Sequence, residues 1–176
     1  MKKTIKTSEI IAVSQVLETA KYTKMEDVDK SKLLRIILAF KDIADKFNAD
    51  TKAVAEKLKQ SDYKGYDETL EKAQEYEKLR RSNGDMSKAK MGAAEYDKFI
   101  SEVFIPFNNL VESTMKPYAE KEVEIKEELL SESAFDKLMA SNDWNISQVV
   151  FLSGIIRVKE EPKAEEEEKP KDKKKK

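Results

Sequence analysis

The side chains that could carry chemistry in this sequence are carboxylates, tyrosines and lysines. Glu122 with Glu124, and Asp42 with Asp45, are spaced so that each pair could meet on one face, where two carboxylates hold a hard cation or share a proton. YKGY at 63–66 sets two aromatic rings beside Lys64 and could stack on a nucleotide, and NGD at 83–85 has the outline of a calcium loop. Each has a plainer reading. With 39% of the residues charged, carboxylate pairs fall on every solvated helix face. Loop tyrosines commonly lay their rings on a neighbouring helix and keep the hydroxyl wet. The alternating acidic ligands and closing glutamate of a calcium loop are missing around Asn83, which leaves a turn.

The absent residue types narrow the chemistry further. There is no Cys and no His, which removes disulfides, thiol chemistry, zinc fingers, His-based acid–base catalysis and the commonest transition-metal ligand sets. The phosphate-cradling GxxxxGKS/T and GxGxxG patterns, the GxSxG nucleophile turn and the HExxH zinc helix do not occur. The sequence thus predicts no enzyme: no catalytic residue, no cofactor, no metal ligand and no small-molecule substrate can be assigned.

The elements that hold these residues should be helices. Four Gly and four Pro in 176 residues leave little room for the tight turns of a strand-rich fold. Thr7 or Ser8 can cap a first helix with Ile10, Val13, Leu17 and Ala20 on one face, and Asp27 or Asp29 starts a long one in which Ile36, Phe40, Ile43, Phe47, Val54 and Leu58 recur at helical spacing to about Gln60. Gly65 breaks it, and a third helix follows over 66–81. SNGDMS at 82–87 is a reversal, the tip of an elongated antiparallel hairpin whose returning helix, from about Lys88 to Met115, carries Tyr96, Phe99, Phe104 and Phe107. That stripe is expected to pack on Phe40 and Phe47. Pro106 should kink the returning helix near Phe104 and Pro117 should end it. Residues 121–130 suit a short strand, and Ser133 opens a short helix that stops at Ser141 or Asn142. The expected fold is therefore mainly α: a helical hairpin or bundle over residues 1–158 with a small C-terminal helical cap.

DWNISQVVFLSGIIRV, residues 143–158, is the most apolar stretch. Asn145 as N-cap, Gln148 three residues on, and Trp144 with Val149 as a hydrophobic staple give three coincident helix-start signals. About a dozen residues are too few to cross a bilayer, which needs about 20. Being apolar nearly all round, this helix should be covered on most sides, by the hairpin or by a partner chain. Trp144, Val149, Val150, Phe151, Leu152, Ile155 and Ile156 are the candidates for a partner contact or for the seam behind it, the partner being another protein or a second copy.

From residue 159 to 176 the composition shifts to Lys, Glu and Pro with no apolar side chain larger than Ala164, and the stretch is expected to be a disordered tail. Its closing Lys173, Lys174, Lys175 and Lys176 could contact nucleic-acid phosphates, although the Glu165–Glu168 block competes and no aromatic residue is interleaved. Formal net charge is −1, so no global field favours nucleic acid or a membrane. MKKTI begins like a secretory signal, but the apolar run after it is only IIAV, which reads as an uncleaved, cytoplasmic chain.

In its order of parts, from the capped N-terminal helix through the Lys- and Glu-rich hairpin and EVEI segment to the closing NISQVVFLSGII helix, the chain over residues 5–157 resembles small helical proteins of tailed bacteriophages. The resemblance implies a non-enzymatic accessory role in virion or tail morphogenesis, or in host takeover, acting in the host cytoplasm or the virion. It carries no functional residue across.

Overall fold

The computed structural model describes residues 3–158. In chain order they form β1 (Lys3–Lys6), α1 (Thr7–Glu18), α2 (Asp27–Ser61), α3 (Tyr66–Arg81), a single 3-10 turn (Met86–Lys88), α4 (Ala93–Phe99), a π-helical segment (Ile100–Phe104), α5 (Ile105–Ala119), β2 (Glu122–Ile125), α6 (Glu132–Met139) and α7 (Ile146–Ile156). The architecture is mainly helical, with the reversal at 82–87 and the strand inside 121–130 that the sequence predicts.

α2 is the axis. Its 35 residues make about 52 Å of helix at 1.5 Å each. Asp27 and Asp29 in the first turn and Lys59 in the last complement the helix dipole. It stops where the Asp62 and Tyr63 amides both return to the Leu58 carbonyl, at 2.9 and 3.2 Å, and Gly65 takes a φ of 78° that a Cβ would oppose.

Two cores are strung on it. At its N-terminal half, Leu33, Ile36 and Phe40 join Ile10, Val13 and Leu17 of α1, Ile5 and Ile125 of the strands, Phe135 and Leu138 of α6, and Leu152, Ile155 and Ile156 of α7. At its far end, Ala55 and Leu58 pack on a second cluster built on Tyr66, Ala73, Met91, Phe99 and Phe107. The aromatic stripe of the returning helix therefore does not reach Phe40, which is fully buried in the other core. Its partners are the tyrosines of the Gly65 turn: Tyr63 meets Phe107 edge-on at 5.1 Å, and Tyr66 lies 4.3 Å from Phe107 and 5.9 Å from Phe99. The short turn places these rings beside the start of α3, and a hairpin that carries on past the end of α2 takes its aromatic face along.

The strands form one antiparallel pair, with Lys3 opposite Ile125 and Lys6 opposite Glu122. Ile5 and Ile125 point into the first core, while Thr4, Lys6, Glu122 and Glu124 take the outer face. β1 runs directly into α1, which alters the expected cap. The cap position is Lys6, because the amide and hydroxyl of Thr7 both donate to the Lys121 carbonyl, at 2.9 and 3.0 Å. The Glu9 carboxylate takes the Lys6 amide instead, at 3.0 Å.

The returning helix differs from expectation at both ends. It starts at Ala93, since Asp85 accepts from the Ser87 amide and holds residues 86–88 in a 3-10 turn. It runs through Pro117 to Ala119 on a solvent-exposed flank, where the carbonyl left without a donor can be met by water. Around Pro106 the helix runs on without a break but changes its hydrogen bonding. The helix widens into π geometry, with the Ile105 amide bonding to the Ile100 carbonyl, so that the ring clears the preceding turn.

α6 is capped by Ser131, whose hydroxyl accepts from the Ala134 amide at 3.2 Å, and not by Ser133. Leu130 just before it is held extended by two backbone bonds, to Ile156 and from Val158, both 2.9 Å. That fixes where the helix can begin. The helix also ends earlier than predicted, at Met139, because Asn142 and Ser141 are spent on the α1–α2 loop. The Asn142 side chain exchanges two hydrogen bonds with the Lys21 backbone, at 2.8 and 2.7 Å, and the Ser141 hydroxyl accepts from the Lys24 amide at 3.2 Å.

α7 is the element the sequence specifies most completely. Asn145 accepts from the Gln148 amide at 2.9 Å and Gln148 accepts from the Asn145 amide at 3.0 Å, a reciprocal capping box. Asn145→Ala is expected to cost about 1 kcal/mol and to lower the melting temperature by about 2–4 °C in calorimetry. An unchanged melting temperature would show that α7 is set by packing alone.

Candidate interaction surface

Three surfaces hold the residues that could meet something else: α7, the groove between α1 and α2, and the cleft of the distal hairpin.

The seven α7 candidates divide. Leu152, Ile155 and Ile156 are buried in the first core, and Trp144, Val149 and Phe151 are half-buried against it. Val150 is 65% exposed, beside Ile146 at 83%, a residue the sequence reading passed over. The helix is also fastened at its end: the Lys3 ammonium donates to the Gly154 and Ile155 carbonyls, the latter at 3.0 Å, where a cation also favours the helix dipole. Six of the seven thus serve the seam, and one of the seven faces out. Lys173–Lys176 lie outside the described residues.

The α1–α2 groove was not anticipated. Leu34 and Leu38, one helical turn apart on α2, are 55% and 54% exposed, and Tyr22 in the loop before α2 is 50% exposed, large fractions for such side chains. Beside them runs a groove of about 380 Å³ with Ile11, Ala20, Leu34 and Ile37 along it and Glu18, Lys41 and Asp45 on its rim. The signal was present in LLRIIL at 33–38. Six consecutive residues, five of them apolar, sweep more than a full turn, so one core cannot take them all.

In the distal hairpin, Leu70, Ala73, Ile100 and Phe104 floor an open cleft of about 700 Å³ bordered by the π segment. Its wall is a closed polar knot. The Glu77 carboxylate accepts from Arg80 at 2.8 Å, from Arg81 at 2.7 Å and from the Tyr96 hydroxyl at 3.3 Å. Tyr96 stacks on Tyr76 at 4.8 Å, with the Arg80 guanidinium 5.8 Å from its ring centre. Hydrogen bonds from Arg80 and then Arg81 lower the Glu77 carboxyl from the ordinary 4.5 to about 2. The turn beyond is closed by Asn83, which takes a left-handed φ of 49° while the Gly84 amide returns to the Leu79 carbonyl at 2.8 Å.

Elsewhere the acidic residues are dispersed. Asp42 and Asp45 are exposed on α2, Glu122 and Glu124 lie on the outer sheet face, and among the described residues no group of three potential metal-ligating side chains converges. Among the same residues no helix is long and apolar enough to cross a membrane. Comparison with known proteins finds no matching family model, no matching curated protein and no matching solved structure.

Leu152→Ala should destabilise the chain by about 2–5 kcal/mol in urea unfolding, whereas Val150→Ala should stay within about 0.5 kcal/mol. Equal losses at the two positions would contradict this division of α7. The Glu77 knot has its own signature. A carboxyl lowered on folding contributes stability that is complete above the unfolded value of 4.5 and is lost as pH falls through about 2. NMR shifts of the Tyr76 and Tyr96 rings should move in that window, and Glu77→Gln should abolish the movement without disturbing the first core.

Proposed function

We propose that this chain is a non-enzymatic interaction protein that works by packing helix faces, with the α1–α2 groove as its contact surface. The observation that carries this reading is the pair Leu34 and Leu38, both more than half exposed beside a groove in which Ile11, Leu17 and Ile37 alternate with Ser14, Gln15 and Asn48. An apolar strip with a charged rim is the arrangement that buries a partner helix: the strip supplies the driving force and the rim supplies orientation.

The bacteriophage resemblance adds a setting, an accessory part in assembling the virion or tail. Nucleic-acid contact through Lys173–Lys176 gains no support from the basic stretch around the hairpin tip, because Arg80 and Arg81 are committed to Glu77.

A photo-reactive amino acid in place of Leu38 in the full chain, irradiated in the expressing cell, should form a covalent adduct to a second polypeptide. The same residue in place of Asp136, exposed on α6, should form none. Absence of adducts at position 38 would defeat the proposal.

A further inference from the structure

The rim charges of α2 bear on what the partner is. Taking 100° per residue, Leu34, Leu38 and Asp45 fall along one outward stripe, and Arg35 and Asp42 lie together on one edge of it. All five are exposed. Arg35 and Asp42 flank Leu38, two turns apart, and among the described residues neither side chain has an ion pair or hydrogen bond within the chain, although nearby Lys30 and Lys32 both do. A cation and an anion left unpaired on either side of an exposed leucine are a self-complementary pattern.

We infer that α2 is a self-association seam, through which two copies of this chain pair as an antiparallel, two-fold dimer centred beside Leu38. This deepens the interaction reading and rests on it. Arg35 and Asp42 lie equally far from the midpoint between Leu38 and Ala39, so a two-fold axis there sets Arg35 of each copy opposite Asp42 of the other. The same operation brings the two Leu38 side chains together. It lands each Leu34 between Lys41 and Asp45 of the second copy, over the groove that those two residues border.

A parallel, in-register pairing would instead oppose Arg35 to Arg35 and Asp42 to Asp42, so the charges select the antiparallel arrangement. The contact is isologous and therefore closes at two copies. One helix against one helix over about four turns is a small interface, at the low end of the size range, so the dimer is a weak one that forms at high local concentration.

Sedimentation equilibrium of the full chain, taken to millimolar concentration, tests this. The unaltered chain should dimerise. R35D and D42R, each placing like charges opposite one another, should weaken the dimer at least tenfold, and the R35D/D42R double variant should recover to within about threefold, with far-UV circular dichroism unchanged throughout. A chain that stays monomeric, or a double variant as weak as the singles, would overturn the inference. Photo-crosslinking at position 38 separates this outcome from failure of the parent reading. An adduct to a different protein with a monomeric chain ends self-pairing but keeps the interaction role, whereas no adduct of any kind ends both.

Discussion

The structure depends on one long helix that buries side chains at both of its ends. α2 offers Leu33, Ile36 and Phe40 to one core and Ala55 and Leu58 to another, and no other element contributes to both sets in this way while remaining a single unbroken rod. The first core is the larger and draws on the full span of the described chain, from Ile5 in β1 to Ile156 in α7. The second is mostly local, gathering residues between 55 and 111. α5 returns the chain from the second core to the first, and β2 closes on β1 there. Hydrophobic burial supplies the stability of such an arrangement, because its ion pairs sit at exposed positions where each is worth about 0–1 kcal/mol.

Polar contacts decide placement more than stability. The Asn142 amide holds the Lys21 backbone, the Lys3 ammonium covers the end of α7, and Leu130 pairs with Ile156 and Val158. Each joins segments more than twenty residues apart. Together they fix the angle at which α6 and α7 meet the first core, which burial alone, being non-directional, leaves loose.

How legible each feature was in the sequence follows from whether its cause is local. α2, α3 and α7 were legible nearly to the residue, because their boundaries are written in adjacent signals: Asp27 and Asp29, Gly65, and the Asn145–Gln148 box. The start of α6 was not, since Ser131 and Ser133 are equally good caps and the choice is made by Ile156 and Val158 gripping Leu130. β1 was missed for the same reason: KTIK has a single inward apolar residue, and its partner strand lies far along the chain. The helix over 93–119 began late because the Asp85 carboxylate captured the Ser87 amide, a competition between side chain and backbone that periodicity does not register. Which α7 side chains face inward was not legible either. Apolar content pointed to α7, where most of the side chains turned out to be core.

Density of apolar residues and departure from helical periodicity carry different information. A dense apolar helix such as α7 can be satisfied internally when elements surround it, and here α1, β1 and the Leu130 segment do so, leaving out Ile146 and Val150. LLRIIL is different because it sits in a helix that already serves a core through Leu33, Ile36 and Phe40. At 100° per residue, Leu34 and Leu38 must point about a third of a turn or more away from that core. No rearrangement of neighbours inside the same fold brings both faces of one rod indoors. In a chain this rich in charged residues, Leu34 and Leu38 form an apolar pair kept on the outer face, where the first core makes no use of them.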